Sequence, residues 1–170
     1  MSNKAAIFAR LDALQVPYTR HEHAPAHTIE DCLRLPYAAP DLTICKNILL
    51  CNRQQTEFYL YITLPDKPFR TGTVSKLLGA SRLSFAPADA LHRLMQLESG
   101  SLAPFGLWFV SGVSMHFAVD NDVRATRRIA FHPCDNTATV IFDQQDFWAR
   151  VVPDCGIAPQ FIDVPMPEDA

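Results

Sequence analysis

Apolar positions near the start of the chain recur at helical spacing. Ala6, Ile7, Leu11 and Leu14 fall on one face of residues 5–15, with polar residues between them, and predict an amphipathic helix. Val16-Pro17 ends it, and Tyr18 to Glu22 reads as a short strand. Thr28-Ile29-Glu30-Asp31 has the form of a capping box, with a side-chain oxygen facing the first orphan amides and acids in the first turn. A short helix through Leu35 should follow, stopped by Pro36. Residues 43–51 and 57–63 change character: they are β-branched and aromatic, and the polar loop Asn52 to Thr56 makes them a hairpin. Thr73 to Leu78 is expected as a helix ending at Gly79, Arg82 to Phe85 as a strand, and Pro87 to Met95 as a helix begun by its proline. Leu107 to Val110, Met115 to Val119, Arg128 to Phe131 and Thr137 to Phe142 read as strands. Asp143 to Arg150 reads as a late helix, and Phe161 to Val164 as an edge strand. The Pro-rich acidic end, 164–170, has the composition of a frayed tail.

No repeat or linker divides this pattern, so residues 1–170 are expected to form a single domain. Helices and hairpins mix without regular βαβ alternation. The fold class is therefore α+β, a mixed, largely antiparallel sheet flanked by helices. The composition is ordinarily globular, 48% hydrophobic and 19% charged, and the chain is long enough to bury a core without staples. No stretch approaches the roughly 18 consecutive apolar residues of a membrane span, and the N-terminus lacks the apolar segment of a signal peptide. A cytoplasmic protein with no membrane partner is the expectation. The five cysteines are odd in number and include no Cys-x-x-Cys pair, which reads as free thiols serving as small apolar fillers. A net charge of −3 argues against indiscriminate nucleic-acid binding and leaves room for a local basic footprint.

Several segments carry candidate chemistry. Lys46 interrupts an apolar strand, with Asn47 beside it; such a lysine either faces a cleft and an anionic partner or snorkels to water from an edge. Gly100-Ser101-Leu102-Ala103-Pro104-Phe105-Gly106 demands a tight, rigid loop, either an ordinary connection or one that presents backbone N–H groups to a carbonyl oxygen. His132, in Phe131-His132-Pro133, is a candidate acid–base or hydrogen-bonding group, or a structural residue; Cys134 lies two residues on without a third orienting group. His21, His23 and His27 invite a metal reading, but their spacing matches no common zinc signature, and no metal is expected. No phosphate-binding glycine pattern is present, so no nucleotide cofactor is expected either. Lys67, Arg70, Lys76 and Arg82 occupy a stretch without acids, either a solvated face or a set of phosphate contacts.

Taken in order, these segments resemble the YbaK/prolyl-tRNA-synthetase-associated editing family. The resemblance runs through Lys46-Asn47, Phe58 to Tyr61, Lys76 to Gly79, Arg82 to Phe85, Gly100 to Gly106, Phe131 to Pro133 and Asn136 to Val140, about residues 5–165. Phe-His-Pro followed by Asn-Thr-Ala-Thr looks like the freestanding deacylases that clear alanine from tRNA(Pro). The cysteinyl-tRNA(Pro) branch shares the lysine and the glycine–proline loop. The turns Cys51 to Thr56 and Ser111 to Ser114 depart from the family pattern. The resemblance implies a hydrolase acting without metal or cofactor on the aminoacylated acceptor end of a tRNA, with prolyl-tRNA synthetase as a compatible partner. Under it, Lys46, Gly100, Ser101 and His132 would carry catalysis. Asn47, Leu102, Ala103, Pro104 and Asn136 would shape the pocket, and Lys67, Arg70 and Lys76 would hold the tRNA backbone. The competing readings are a non-catalytic tRNA- or synthetase-binding module and, more distantly, a metal-dependent hydrolase built on the three histidines.

Overall fold

The computed structural model describes residues 2–166. Helix α1 (Asn3–Ala13) starts at Ser2, whose hydroxyl accepts the Ala5 amide, and it buries Ile7, Phe8 and Leu11 as its periodicity requires. Helix α2 (Ile29–Leu33) opens with the expected capping box: Thr28 accepts the Asp31 amide, and the Asp31 carboxylate accepts the amides of Thr28 and His27. Those donors, the Thr28 amide first, hold the Asp31 carboxyl below the usual carboxylate range.

Nine strands follow the chain among the described residues: β1 (Thr19–Glu22), β2 (Leu42–Ile44), β3 (Lys46–Cys51), β4 (Glu57–Thr63), β5 (Ser84–Phe85), β6 (Ser114–Asp120), β7 (Arg128–Phe131), β8 (Ala138–Asp143) and β9 (Pro159–Ile162). They form two sheets, ordered β1-β8-β7-β2 and β5-β3-β4-β6-β9. The pairs β1–β8, β7–β8, β3–β4 and β3–β5 are antiparallel; β2–β7, β4–β6 and β6–β9 are parallel. The α+β class and the mixed strand directions are as expected, while the single sheet resolves into two. The break falls inside the expected strand 43–51. At Cys45 the chain leaves the first sheet as β2 and enters the second as β3.

The main core lies between the sheets and α1. Leu49, Leu60 and Ile62 of the second sheet meet Ile129, Phe131, Val140 and Phe142 of the first, with Ile7, Leu11 and Phe147 filling the rest. The opposite face of the second sheet, Ile48, Leu50, Tyr59 and Tyr61, packs on Val74 and Leu78 of α3 (Thr71–Leu78). Covering on both faces explains why β3 and β4 read as nearly continuous apolar runs.

Residues 107–110 do not form the expected strand. Pro104–Phe109 is a 3₁₀ helix following α4 (Ala90–Met95). Gly106 packs so closely there that a Cβ would lie 2.8 Å from the Met95 sulfur, so the segment's contact with α4 needs a glycine at this position. The late helix is compound: α5 (Gln144–Asp146), a π-helical segment Phe147–Val151, and α6 (Val152–Asp154). Strand β9 is an edge strand as expected, two residues earlier than the sequence suggested. A tail was expected from Val164 on; Val164 is instead buried, and its carbonyl accepts a 2.6 Å hydrogen bond from Lys67 Nζ. Residues 167–170 lie outside the described residues.

Candidate active site

Strand β5 pairs only with Leu50 and Cys51, and the Ala86 amide then caps the Leu49 carbonyl at 2.9 Å. Beyond that point the edge of β3 at residues 46–48 is open on this side. A cleft of about 480 Å³ occupies the gap, bounded by Lys46 and Asn47 of β3, His27 and Cys32 around α2, Gly100 and Leu102, His132 just after β7, and Thr139 of β8. The strand alternation that aims the Leu49 carbonyl at Ala86 aims the Asn47 backbone the same way, into the cleft.

Lys46 sits opposite Thr63 in β4, half-buried, and lines this cleft. It makes no hydrogen bond or ion pair among the described residues, so its charge is available to a ligand. Asn47 donates to the Cys45 carbonyl at 3.4 Å, while its Oδ1 is buried without a partner.

The glycine–proline loop divides between two sides. Gly100 adopts φ +83°, in the left-handed region, with the His27 carbonyl 3.5 Å from where a Cβ would stand; Gly100 and Leu102 line the cleft. Ser101 does not line it: its side chain is buried, its amide donates to the Glu98 carbonyl at 3.1 Å, and it borders a separate hollow beside Asn3 and Asn136. Ala103 and Pro104 are buried behind the loop and brace it without lining the cleft. Asn136 also faces the second hollow. Its amide contacts His27 Nδ1 at 3.2 Å and its carbonyl accepts the Ala26 amide at 2.9 Å, so it reaches the cleft only through His27.

His132 lines the cleft with its Nε2 3.4 Å from Cys32 Sγ and its ring 5.8 Å from that of His23. Burial holds its pKa below 6.5, and a hydrogen bond to the Gly100 backbone opposes this only in part. The imidazole is thus neutral at physiological pH. Cys32, Thr139 and Tyr37 complete this wall and were not singled out from sequence. Thr139 Oγ1 meets Tyr37 Oη at 2.5 Å and His23 Nε2 at 2.9 Å. Thr139 stands inside the Asn136–Val140 segment, which was its signal; Cys32 carried none, being 100 residues from the histidine it meets.

The remaining candidates disperse. His21 stacks on Tyr37 with centroids 4.4 Å apart, His23 bonds Thr139 and His27 bonds Asn136. Among the described residues no three His, Cys, Asp or Glu side chains are grouped to hold a metal ion. Cys134 borders the second hollow, and burial pushes its thiol well up, away from thiolate chemistry. Lys67 is a correction: expected on the tRNA backbone, it is buried at 3% exposure. There it bonds both oxygens of Asp120 at 2.9–3.0 Å, contacts Asp122 at 2.6 Å and donates to the Val164 carbonyl. Burial alone would lower its pKa, but the bonds to Asp122 and Asp120 outweigh it and the ammonium is held charged. Arg70, Lys76 and Arg82 are exposed and remain available to phosphates. No helix among the described residues is long and apolar enough to cross a membrane.

The family model of the aminoacyl-tRNA editing domain matches residues 23–148. The chain is similar to the prolyl-tRNA editing protein ProX of Acetoanaerobium sticklandii, 32% identical over 146 residues that span 86% of this chain and 88% of that one. It is also similar to prolyl-tRNA synthetase associated domain-containing protein 1 of Bos taurus, 25% identical over 153 residues and 85% of each chain. The solved structure of a candidate trans-editing enzyme for prolyl tRNA synthetase superposes with a TM-score of 0.70 at 14% identity, covering 97% of this chain and 99% of that chain, and thereby shares the fold.

Proposed function

The chain belongs to the aminoacyl-tRNA editing domain family, and we propose that it clears alanine from mischarged tRNA(Pro) by hydrolysing the aminoacyl ester. It acts as an aminoacyl-tRNA deacylase of the prolyl-tRNA editing kind. The observation that carries the reading is Lys46, a cation with no protein partner among the described residues, lining the same cleft as a glycine loop and a neutral imidazole. A half-buried ammonium without a protein partner is well placed to meet an anionic ligand. Lys46 anchors the phosphate or ribose of the terminal adenosine. The ester carbonyl sits against the backbone N–H groups of Gly100 and Leu102 and the open β3 edge, which stabilise negative charge on its oxygen. A water held beside His132 attacks the carbonyl carbon. The tetrahedral adduct collapses by breaking the bond to the ribose oxygen, which takes up the proton lost by the water. Free amino acid and intact tRNA leave. An aminoacyl ester is already activated, so positioning and oxyanion stabilisation suffice without a protein nucleophile.

Alanine follows from the limits of the synthetase: a site sized for proline rejects a smaller side chain by only a few kcal/mol, and a second, tighter site corrects the error. Prolyl-tRNA synthetase is the source of that substrate and the partner this reading names. The test is a panel of alanyl-, cysteinyl- and prolyl-tRNA(Pro) at equal enzyme and substrate. Alanyl-tRNA(Pro) should be cleaved fastest. Faster cleavage of the cysteinyl ester reassigns the substrate, and binding without cleavage of any of them makes the protein a tRNA-binding module.

A further inference from the structure

Phe85 is 63% exposed, more than any other large apolar side chain of the described residues, and it stands at the rim of the cleft that holds Lys46. A single exposed apolar residue needs no explanation by itself. Its placement does. The ring is backed edge-on by Phe69, with centroids 5.2 Å apart at 67°, and Phe69 rests in turn on Tyr61 at 5.8 Å. The Phe85 backbone is fixed by pairing with Leu50 of β3. The ring is therefore held, and much of it is left to solvent.

Lys46 lies on the same strand four residues before Leu50, about 13 Å away at the rise of a strand. Side chains alternate along a strand and directly opposed partners share a face, so Lys46, Leu50 and Phe85 fall on one face of the sheet. Arg70 adjoins Phe69 in sequence, Arg82 precedes β5, and both are exposed. A flat aromatic surface thus stands about 13 Å along the sheet from one cation, with two exposed arginines close in sequence to it and to its backing ring. An apolar peptide would need a continuous apolar groove, whereas the exposed neighbours of Phe85 on its own strand segment are Arg82 and Ser84. A single-stranded nucleic acid needs what is present: a π-face for a base and cations for the phosphates flanking it.

We propose that Phe85 is a stacking platform for a nucleobase of the unpaired 3′ end of the tRNA, which adds to the affinity for the charged substrate. The inference rests on the deacylase reading for its ligand. Stacking on an aromatic side chain is worth about 1–3 kcal/mol per base, and loss of the ring therefore weakens binding roughly 5- to 150-fold.

The test uses the full chain and tRNA(Pro) acceptor-stem RNA carrying 2-aminopurine at the terminal or the penultimate 3′ position. Wild-type protein should quench the fluorophore at one of the two positions. Phe85→Leu should abolish the quench and raise KM for the charged substrate with kcat little changed, while Phe85→Tyr should retain both properties. A substrate made abasic at the quenched position should be processed alike by wild type and Phe85→Leu. An unchanged quench in Phe85→Leu, or an equal KM penalty on the abasic substrate, overturns the proposal. Phe85-dependent quenching by a protein that cleaves no mischarged tRNA keeps the platform and removes the deacylase reading instead.

Discussion

The Cys32 thiol lies 3.4 Å from Nε2 of His132, joining α2 to the end of β7 across the cleft wall. Burial raises the thiol pKa, with the Asp31 charge adding to it, and burial lowers that of the imidazole. Both groups are therefore neutral near physiological pH. Two neutral partners make a hydrogen bond, with S–H donating to Nε2 and fixing the tautomer that leaves Nδ1 protonated. They do not make an activated nucleophile, which requires a lowered thiol pKa and a charged base beside it.

This separates two outcomes for Cys32. If the thiol only orients His132, Cys32→Ser should deacylate at near wild-type rate, because a hydroxyl is an adequate donor. Cys32→Val should lose roughly 2- to 10-fold in kcat, the worth of one neutral hydrogen bond. Equal and deep inactivation of both variants would instead mark a covalent role for the sulfur.

The depressed pKa of His132 has a consequence for pH. In the unfolded chain an imidazole begins to charge near pH 6.5, while the buried ring resists charging until lower pH. The folded state then binds fewer protons, so this contribution to stability is complete above about pH 6.5 and declines as pH falls below it. Thermal melting of wild type should drop between about pH 7 and pH 5, and His132→Gln should lose part of that dependence. In kinetics, the acid limb of kcat/KM should fall below pH 6.5. A limb at or above that value would assign it to another group.

Lys46→Ala should leave the fold intact, since the half-buried side chain satisfies no partner among the described residues. Deacylation should nevertheless fall by about 100-fold or more, as when a charge-stabilising donor is removed from an active site. Circular dichroism and single-turnover rates on one preparation decide the point: a folded variant with near wild-type turnover removes Lys46 from the site.

Lys67 behaves in the opposite way. Its side chain and that of Asp120 are 1% and 0% exposed, and removing one partner strands the other charge in the core. Lys67→Met should cost about 3 kcal/mol or more in unfolding free energy, read by urea denaturation. The double variant Lys67→Met/Asp120→Leu should recover part of that loss. A wild-type midpoint for the single variant would show that the pair contributes nothing to stability.

Local signals were the legible part of this sequence. The Thr28–Asp31 capping box and the β3–β4 hairpin depend on neighbours within a turn, and each stands where residue pattern places it, while α1 begins and ends two residues earlier than expected. What escaped depends on distant packing. Nothing in residues 43–51 marks Cys45 as the crossing between sheets, and the 3₁₀ helix at 104–109 packs at Gly106 against Met95 of α4, a distant contact. The site divides similarly. Lys46 was visible as a charge interrupting an apolar strand, while Gly100, Leu102 and His132 read as an ordinary turn and a structural histidine until the family resemblance drew them in. The four converge on one cleft. Ser101 and Asn136, one or a few residues from lining positions, turn to the other side of the same loops. Lys67 misled because a lysine in an acid-free stretch reads as solvated, whereas its carboxylate partners arrive from residues 120 and 122.

Removing Lys67 from the basic stretch sharpens what the rest should do. Arg70, Lys76 and Arg82 are exposed, and none of them enters an ion pair among the described residues. Cations on phosphates release counterions, so the affinity for tRNA should fall linearly on a log–log plot against salt. Each such contact removed should reduce the slope by about 1. Arg70→Gln, Lys76→Gln and Arg82→Gln should therefore flatten the dependence, singly by a small step and together by their sum, with little change in melting temperature. Arg10→Gln is the control. Its guanidinium is held by Asp154 at 2.7 Å, so it should not alter the slope. If the triple variant keeps the wild-type slope, the tRNA backbone does not run over α3 and β5, and the phosphates must be met elsewhere along the cleft mouth.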